Sequence, residues 1–350
     1  MIRNAVAPIA AFLLIACGSG TPQQPMGEAE SKVSVLLPLE GPGKKYGYID
    51  GSGTFVIAPQ FAEAASFQDG LAAVATGDVL NRKYGFIGAD GKFVINPQFD
   101  DVRWFSDGLA AVTIAHFVGF IDKRGKLVIT PQFQKANGFH DGVAPVQVYG
   151  RWGLIDQNGN YVINAIFENV FESAEGLSAV KIRGLYGYLD TKGKFAINPQ
   201  LNAAYSFSEG LSAFADSAGK WGYINREGKI VVPATFDGAL NFREGLAAVE
   251  VGKLFGFIEK TGKVVIAPRF DGVGGSPSGF SEGIAAVRIG QKWGYIDRGG
   301  KIIITPQFGG DAVDDELNDW SFHHGIASVL IAGKNGYVDR TGKLIAIGGQ

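Results

Sequence analysis

One phrase recurs down this chain at a spacing of about 34 residues: aromatic-Gly-(Tyr/Phe/Leu)-Ile-Asp-x-x-Gly-(Lys/Asn)-Φ-Val-Ile-x-Pro-x-Phe. After a polar spacer it continues Phe-x-(Asp/Glu)-Gly-Leu-Ala-x-Val. Its first glycine falls at Gly47, Gly85, Gly119, Gly153, Gly187, Gly222, Gly256, Gly294 and Gly336, giving steps of 38, 34, 34, 34, 35, 34, 38 and 42. A period of this length demands a stack of like units that share their core, because one unit is too small to bury its own aromatic face. The longer steps hold inserted loop-type residues at 75–82, 272–279 and between Phe308 and Phe322, where surface connections tolerate added length.

Each unit reads as three strands. The first, Tyr46–Asp50 or Trp293–Asp297, is aromatic and β-branched, as a pleated, half-buried surface requires. It ends in Asp50-x-x-Gly53, Asp122-x-x-Gly125, Asp190-x-x-Gly193 or Asp297-x-x-Gly300, an acid that can accept backbone N–H bonds and a glycine that can take positive φ. The second, such as Phe55-Val56-Ile57, runs into Pro59, and Pro97, Pro131, Pro199, Pro268 and Pro306 recur at that place. Proline cannot donate to a ladder, so this strand ends there or lies at an edge. The third, such as Leu71–Val74, follows an acid-glycine pair, and its small residues imply close packing on a neighbour. Phe61, Phe99, Phe133, Phe167, Phe236, Phe270 and Phe308, with Phe67, Phe105, Phe139, Phe207 and Phe242, form the expected core.

The chain closes on half a unit with two strands, while Val33–Leu37 ahead of the first unit looks like a spare third strand. If that strand completes the last half unit, the array is an all-β ring of about nine small antiparallel meanders, a β-propeller without a long open edge. The alternative is an open, curved β-solenoid with capped ends.

With those elements laid out, Lys220-Trp221-Gly222-Tyr223-Ile224 and Lys292-Trp293-Gly294-Tyr295-Ile296-Asp297 resemble the Lys-Trp-Gly signature of bacterial WG-repeat proteins. The resemblance spans about residues 44–347, with Tyr46, Tyr84, Val118, Tyr186, Phe255 and Asn335 departing from tryptophan. It implies a repeat scaffold with no family-wide catalytic residues, and hence binding rather than catalysis.

The amino-terminal residues read as an address. Met1-Ile2-Arg3-Asn4 precedes an apolar run over residues 5–16 and then Cys17, a short secretory signal. Leu14-Ile15-Ala16-Cys17 resembles the bacterial lipobox, which implies cleavage of residues 1–16 and lipid attachment at Cys17. Twelve apolar residues are too few to span a bilayer. Residues 17–32 then form a lipidated flexible tether and 33–350 the repeat domain. Gly18, rather than aspartate, follows Cys17, and the resemblance to bacterial lipoproteins then implies the outer membrane rather than the inner. Several acyl chains anchor firmly where one is marginal.

Composition removes several chemistries. Thirty-two basic residues against 34 acidic ones, spread by the repeat, give no basic stripe for nucleic acid. The only cysteine is Cys17, so disulfides and thiolate metal sites are excluded. No catalytic residue, cofactor or metal is expected. His323-His324 beside Asp311, Asp314, Asp315, Glu316 and Asp319 lacks the order of a calcium loop and reads as a solvated insertion. Asp69, Asp107, Asp141, Glu175, Glu209, Glu244 and Glu282 read as turn formers, although a ring would gather them at one rim. Trp152, Trp221 and Trp293 read as packing between repeats, with a carbohydrate platform as the alternative. Trp104 and Trp320 break the pattern and, with Asp314 and Asp315, form the expected contact surface. The whole reads as a membrane-anchored envelope lipoprotein that binds a protein or glycan partner without catalysis. An enzyme accessory or glycan-binding subunit and a structural spacer are the alternatives.

Overall fold

Every copy of the repeat becomes backbone of the same kind, because the same turn residues and proline recur at the same register. The computed structural model describes residues 35–275, 278–309 and 320–349. The signal and tether, Cys17, Asp314 and Asp315 lie outside the described residues. Nine antiparallel sheets form the blades of a β-propeller. They span residues 37–61, 63–99, 101–133, 135–167, 169–201, 203–236, 238–270, 272–308 and 322–347, here the first to ninth blades.

Two features of the sequence reading change. Most blades have four strands rather than three, because a two-residue strand follows shortly after the edge strand of the blade before, as at Asp101–Val102 or Lys135–Ala136. Two residues carry no alternation that a periodicity can register. The blade is also out of phase with the sequence unit: the third segment of one copy joins the sheet of the next by pairing with its first segment, as Leu109–Ile114 pairs with Phe117–Asp122. The spare strand ahead of the first unit, Leu37–Glu40, therefore pairs with Tyr46–Ile49 in the first blade. It does not complete the last half unit, which finds its partner in Ile326–Ile331.

The ring closes by packing one blade face on another. Leu39 and Ile49 of the first blade share a core with Tyr337 of the ninth. Tyr337 Oη donates to Pro38 O at 2.8 Å, and Gly349 N to Glu40 O at 2.9 Å. Elsewhere, except at Leu154 of the fourth blade, a central aromatic packs against the next blade, as Phe86 on Phe105 at 4.9 Å and Phe120 on Phe139 at 4.8 Å.

The proline does not end its strand. Phe55–Phe61 runs through Pro59 along the sheet edge, with a register shift opposite Gly47. That bulge explains the spacing of 12 residues from glycine to proline in six of the nine units, as from Gly47 to Pro59. A Cβ at Gly119 would stand 2.5 Å from Ile129 O and 2.7 Å from Pro131 N, so the close backbone approach admits glycine only.

The Asp-x-x-Gly turns form as expected. Asp122 Oδ1 accepts from Arg124 N at 2.9 Å and Lys126 N at 3.0 Å, while Gly125 takes φ 81°. These bonds favour the carboxylate, so the backbone N–H of Lys126 above all holds the Asp122 carboxyl below its ordinary value; Asn160 does the same for Asp156. A lowered folded value stabilises the fold above the unfolded value and loses that contribution as pH falls. The melting temperature is therefore expected to drop as pH falls through about 4 toward 3. Asn225 makes the same bonds to Glu227 N and Lys229 N with an amide. Asp122→Asn should accordingly fold and lose less stability on acidification than the parent, as read from melting curves across pH.

Candidate functional site

The acid-glycine pairs are two-residue hairpins. Asp107 at φ 49° and Gly108 at φ 80° are the two left-handed positions of a type I′ turn, with Ser106 and Leu109 exchanging backbone bonds across it. The acid side chain then reaches along the ring. Asp107 accepts from Gly142 N and Asp141 from Gly176 N, each at 2.8 Å. Glu175, Glu209, Glu244 and Glu282 accept in turn from Gly210, Gly245, Gly283 and Gly325. Cations add to several links: Lys260 lies 3.0 Å from Glu209 Oε2 and Arg340 3.2 Å from Glu282 Oε2. The rim acids are thus turn formers that also bond blade to blade. In the ninth blade His324, at φ 52°, holds the left-handed position.

Ser106, His140 and Glu172 come together, which reading by motif missed. Ser106 Oγ lies 3.3 Å from His140 Nδ1, and His140 Nε2 lies 3.4 Å from Glu172 Oε2. The set looks like a nucleophile, base and acid, yet Ser106 Oγ donates to Phe139 O at 2.5 Å. Ser208 and Ser281 repeat that bond to Phe242 O and Phe322 O. The hydroxyl is therefore a clasp between blades that the repeat uses with or without a histidine. The separation of 34 residues, one period, was the available signal. Among the described residues, no group of three or more His, Cys, Asp or Glu is placed to hold a metal.

Of the expected contact tryptophans, Trp104 is 48% exposed in the third blade. Trp320 is a correction: it is 1% exposed and stacks on Trp293 at 5.1 Å. The cause is Gly274. In the sixth blade the residue after the two-residue strand, Tyr205, stacks on Trp221 at 5.0 Å. In the eighth that position is Gly274, and Trp320 fills the space, its Cβ 3.1 Å from where a Gly274 side chain would begin. Trp221 and Trp293 therefore pack within the ring. Trp152 is half-buried and lines a cavity of about 330 Å³ with Asp101, Arg103, Gln134 and Asn137.

A larger cavity, about 880 Å³, lies at the seam where the first and ninth blades meet. Its wall includes Pro38, Glu40 and Tyr46 on one side, Ser328, Leu330 and Tyr337 on the other. The ring also carries exposed apolar pairs at the start of its edge strands: Phe55-Val56, Phe93-Val94, Leu127-Val128, Ile230-Val231, Val264-Val265 and Ile302-Ile303. They repeat because each edge strand pairs on one side only.

The model of the family described as WG containing repeat matches residues 46–78, 84–114, 119–152, 152–186, 186–215, 221–254, 255–293 and 293–310. No curated protein is significantly similar in sequence. Among solved structures, one described as the crystal structure of the eukaryotic initiation factor is 11% identical with a TM-score of 0.61, covering 89% of this chain and 95% of that chain. BamB from Moraxella catarrhalis is 12% identical with a TM-score of 0.45, covering 80% of this chain and 91% of that one. The first likeness shows the propeller fold; nothing is drawn from the second.

Proposed function

We propose that this chain, which belongs to the WG-containing repeat family, is a membrane-anchored envelope lipoprotein whose ring is a non-catalytic binding scaffold for another envelope protein or a glycan. The observation that carries the binding reading is the exposed apolar pair repeated on the edge strands, such as Val264-Val265 and Ile302-Ile303. Contiguous exposed apolar surface marks interaction sites in proteins otherwise polar outside. The recurring acids and serines support the same reading, because they are engaged in holding blade to blade, which makes a rigid platform. The anchor rests on Leu14-Ile15-Ala16-Cys17.

Fractionation and crosslinking test both halves. Cys17→Ser should move the protein from the membrane fraction to the soluble one; a variant that stays with the membrane removes the lipid anchor from the account. In intact envelopes, the wild type should crosslink to a specific partner that Val264→Lys with Val265→Lys loses. Absence of any enriched partner across conditions would count against the scaffold reading.

A further inference from the structure

From the fifth to the eighth blade, the aromatic ahead of the first glycine is covered by another side chain. Among the described residues the three stacked ring pairs are all of this kind: Phe171 on Tyr186 at 6.1 Å, Tyr205 on Trp221 at 5.0 Å and Trp320 on Trp293 at 5.1 Å. Phe171 and Tyr205 each follow the two-residue strand of their blade, where their N–H groups donate to Ala179 O and Ala213 O. In the seventh blade Leu240 holds that position and shares a cluster with Phe255. Where the position is Gly274, Trp320 comes from 46 residues along the chain to fill the space. In the second blade it is Ala65, and Tyr84 is held instead through its hydroxyl, which donates to Glu63 Oε2 at 2.6 Å.

The fourth blade departs from this pattern. Asn137 stands where Phe171 and Tyr205 stand, its N–H donating to Pro145 O at 2.9 Å, and among the described residues no ring packs on Trp152. Trp152 is still fixed in place, because it packs against the cluster that holds Leu154 and Phe167. The third blade departs from it too: Val118 replaces the aromatic, and Arg103 follows the short strand. Val118, Arg103, Asn137 and Trp152 all line the cavity of about 330 Å³ between these two blades. Its volume lies at the small end of ligand pockets, about 300–1,000 Å³.

The polar lining has few internal claims on it. Asp101 Oδ1 accepts from Val102 N and Gln134 Oε1 from Gly150 N, which leaves the second carboxylate oxygen of Asp101 and the amide NH₂ of Gln134. Among the described residues, the side chains of Arg103, Lys135 and Asn137 and the indole N–H of Trp152 have no hydrogen-bond partner. Donors and acceptors are therefore mixed around one ring. A hydroxyl both donates and accepts, so a ring rimmed by hydroxyls uses both kinds of group. A hydrocarbon ring would leave them desolvated and unpaired, and an anion would face the Asp101 carboxylate.

We infer that this cleft binds a saccharide, with one pyranose ring lying flat on Trp152 in the place that Tyr205 takes in the sixth blade. This deepens the glycan half of the scaffold reading and rests on it. A pyranose with equatorial hydroxyls turns its C–H bonds to a flat apolar face, which covers the indole as an aromatic ring does elsewhere. Its hydroxyls then reach Asp101, Arg103, Gln134 and Asn137 around the rim.

The test uses the full chain with cellobiose and N,N′-diacetylchitobiose, two disaccharides of such rings, followed by saturation-transfer NMR and titration. At least one should bind saturably and receive saturation most strongly at its ring C–H protons. Trp152→Ala should bind at least about tenfold more weakly. Asn137→Tyr installs the ring that Tyr205 supplies over Trp221; it should melt no lower than the parent and also bind at least about tenfold more weakly. It covers the case in which Trp152→Ala fails to fold. Absence of binding to both disaccharides, or binding that either folded variant keeps in full, overturns the inference. A chain that ignores both sugars yet crosslinks to a partner through Val264 and Val265 loses this inference and keeps the scaffold reading.

Discussion

Removal of residues 336–350 is expected to destabilise the entire ring rather than fray one end. The cut takes away Tyr337 and Val338, both buried, together with the strand Leu344–Ile347. It uncovers Ile326–Ile331 along one edge and exposes Leu39 and Ile49 of the first blade. Burying each large apolar side chain contributes about 1.5–3 kcal/mol, so losing several removes on the order of 5 kcal/mol or more, comparable with the net stability of an ordinary domain. Thermal and urea unfolding followed by tryptophan fluorescence should show one transition at markedly lower temperature and denaturant. In an open array the same cut would cost one terminal contact and leave the main transition in place.

Phe105→Ala is the second large effect expected. Phe105 is buried and packs edge-on against Phe86 of the preceding blade, within a cluster that includes Ile95, Phe99 and Val112. Truncation loses transfer energy and leaves a cavity between two blades whose backbones are fixed on both sides, for a cost of about 3–5 kcal/mol. Leu80→Ala is the matched control. Leu80 is 92% exposed in the first insertion, so its loss should lie within about 0.5 kcal/mol of the parent. Chemical denaturation of both variants with the parent reads the difference directly; similar costs for Phe105 and Leu80 would contradict the shared-core account.

Much of the architecture was legible because its causes are local. The Asp-x-x-Gly turn needs only an acceptor, a positive φ and two residues between them, so Asp122 and Gly125 declare themselves. The acid-glycine hairpin is equally local. The features that escaped depend on neighbours. The strand Asp101–Val102 exists because Leu109–Ile114 offers an edge, and two residues have no period of their own. The offset between repeat unit and blade lies in which strand each third segment pairs with, and the repeated sequence reads the same in either phase. Trp320 breaks the repeat and so reads as a surface residue, yet it is buried because Gly274, 46 residues earlier, leaves a gap over Trp293. The site is less legible than the fold for the same reason: the seam cavity is lined by Pro38 and Glu40 on one side and Ser328 and Tyr337 on the other, residues far apart in the chain that no motif joins.

Amide hydrogen exchange on the intact chain tests the closed ring most directly. Leu37–Glu40 and Leu344–Ile347 lie at opposite ends of the described chain and are joined through Gly349 N to Glu40 O and Tyr337 Oη to Pro38 O. A closed ring predicts that these strands exchange slowly, through the same global opening as central strands such as Leu177–Ile182 and Leu185–Asp190. Fast exchange confined to the two ends, grading to slow toward the middle, would contradict closure and leave an open stack of blades.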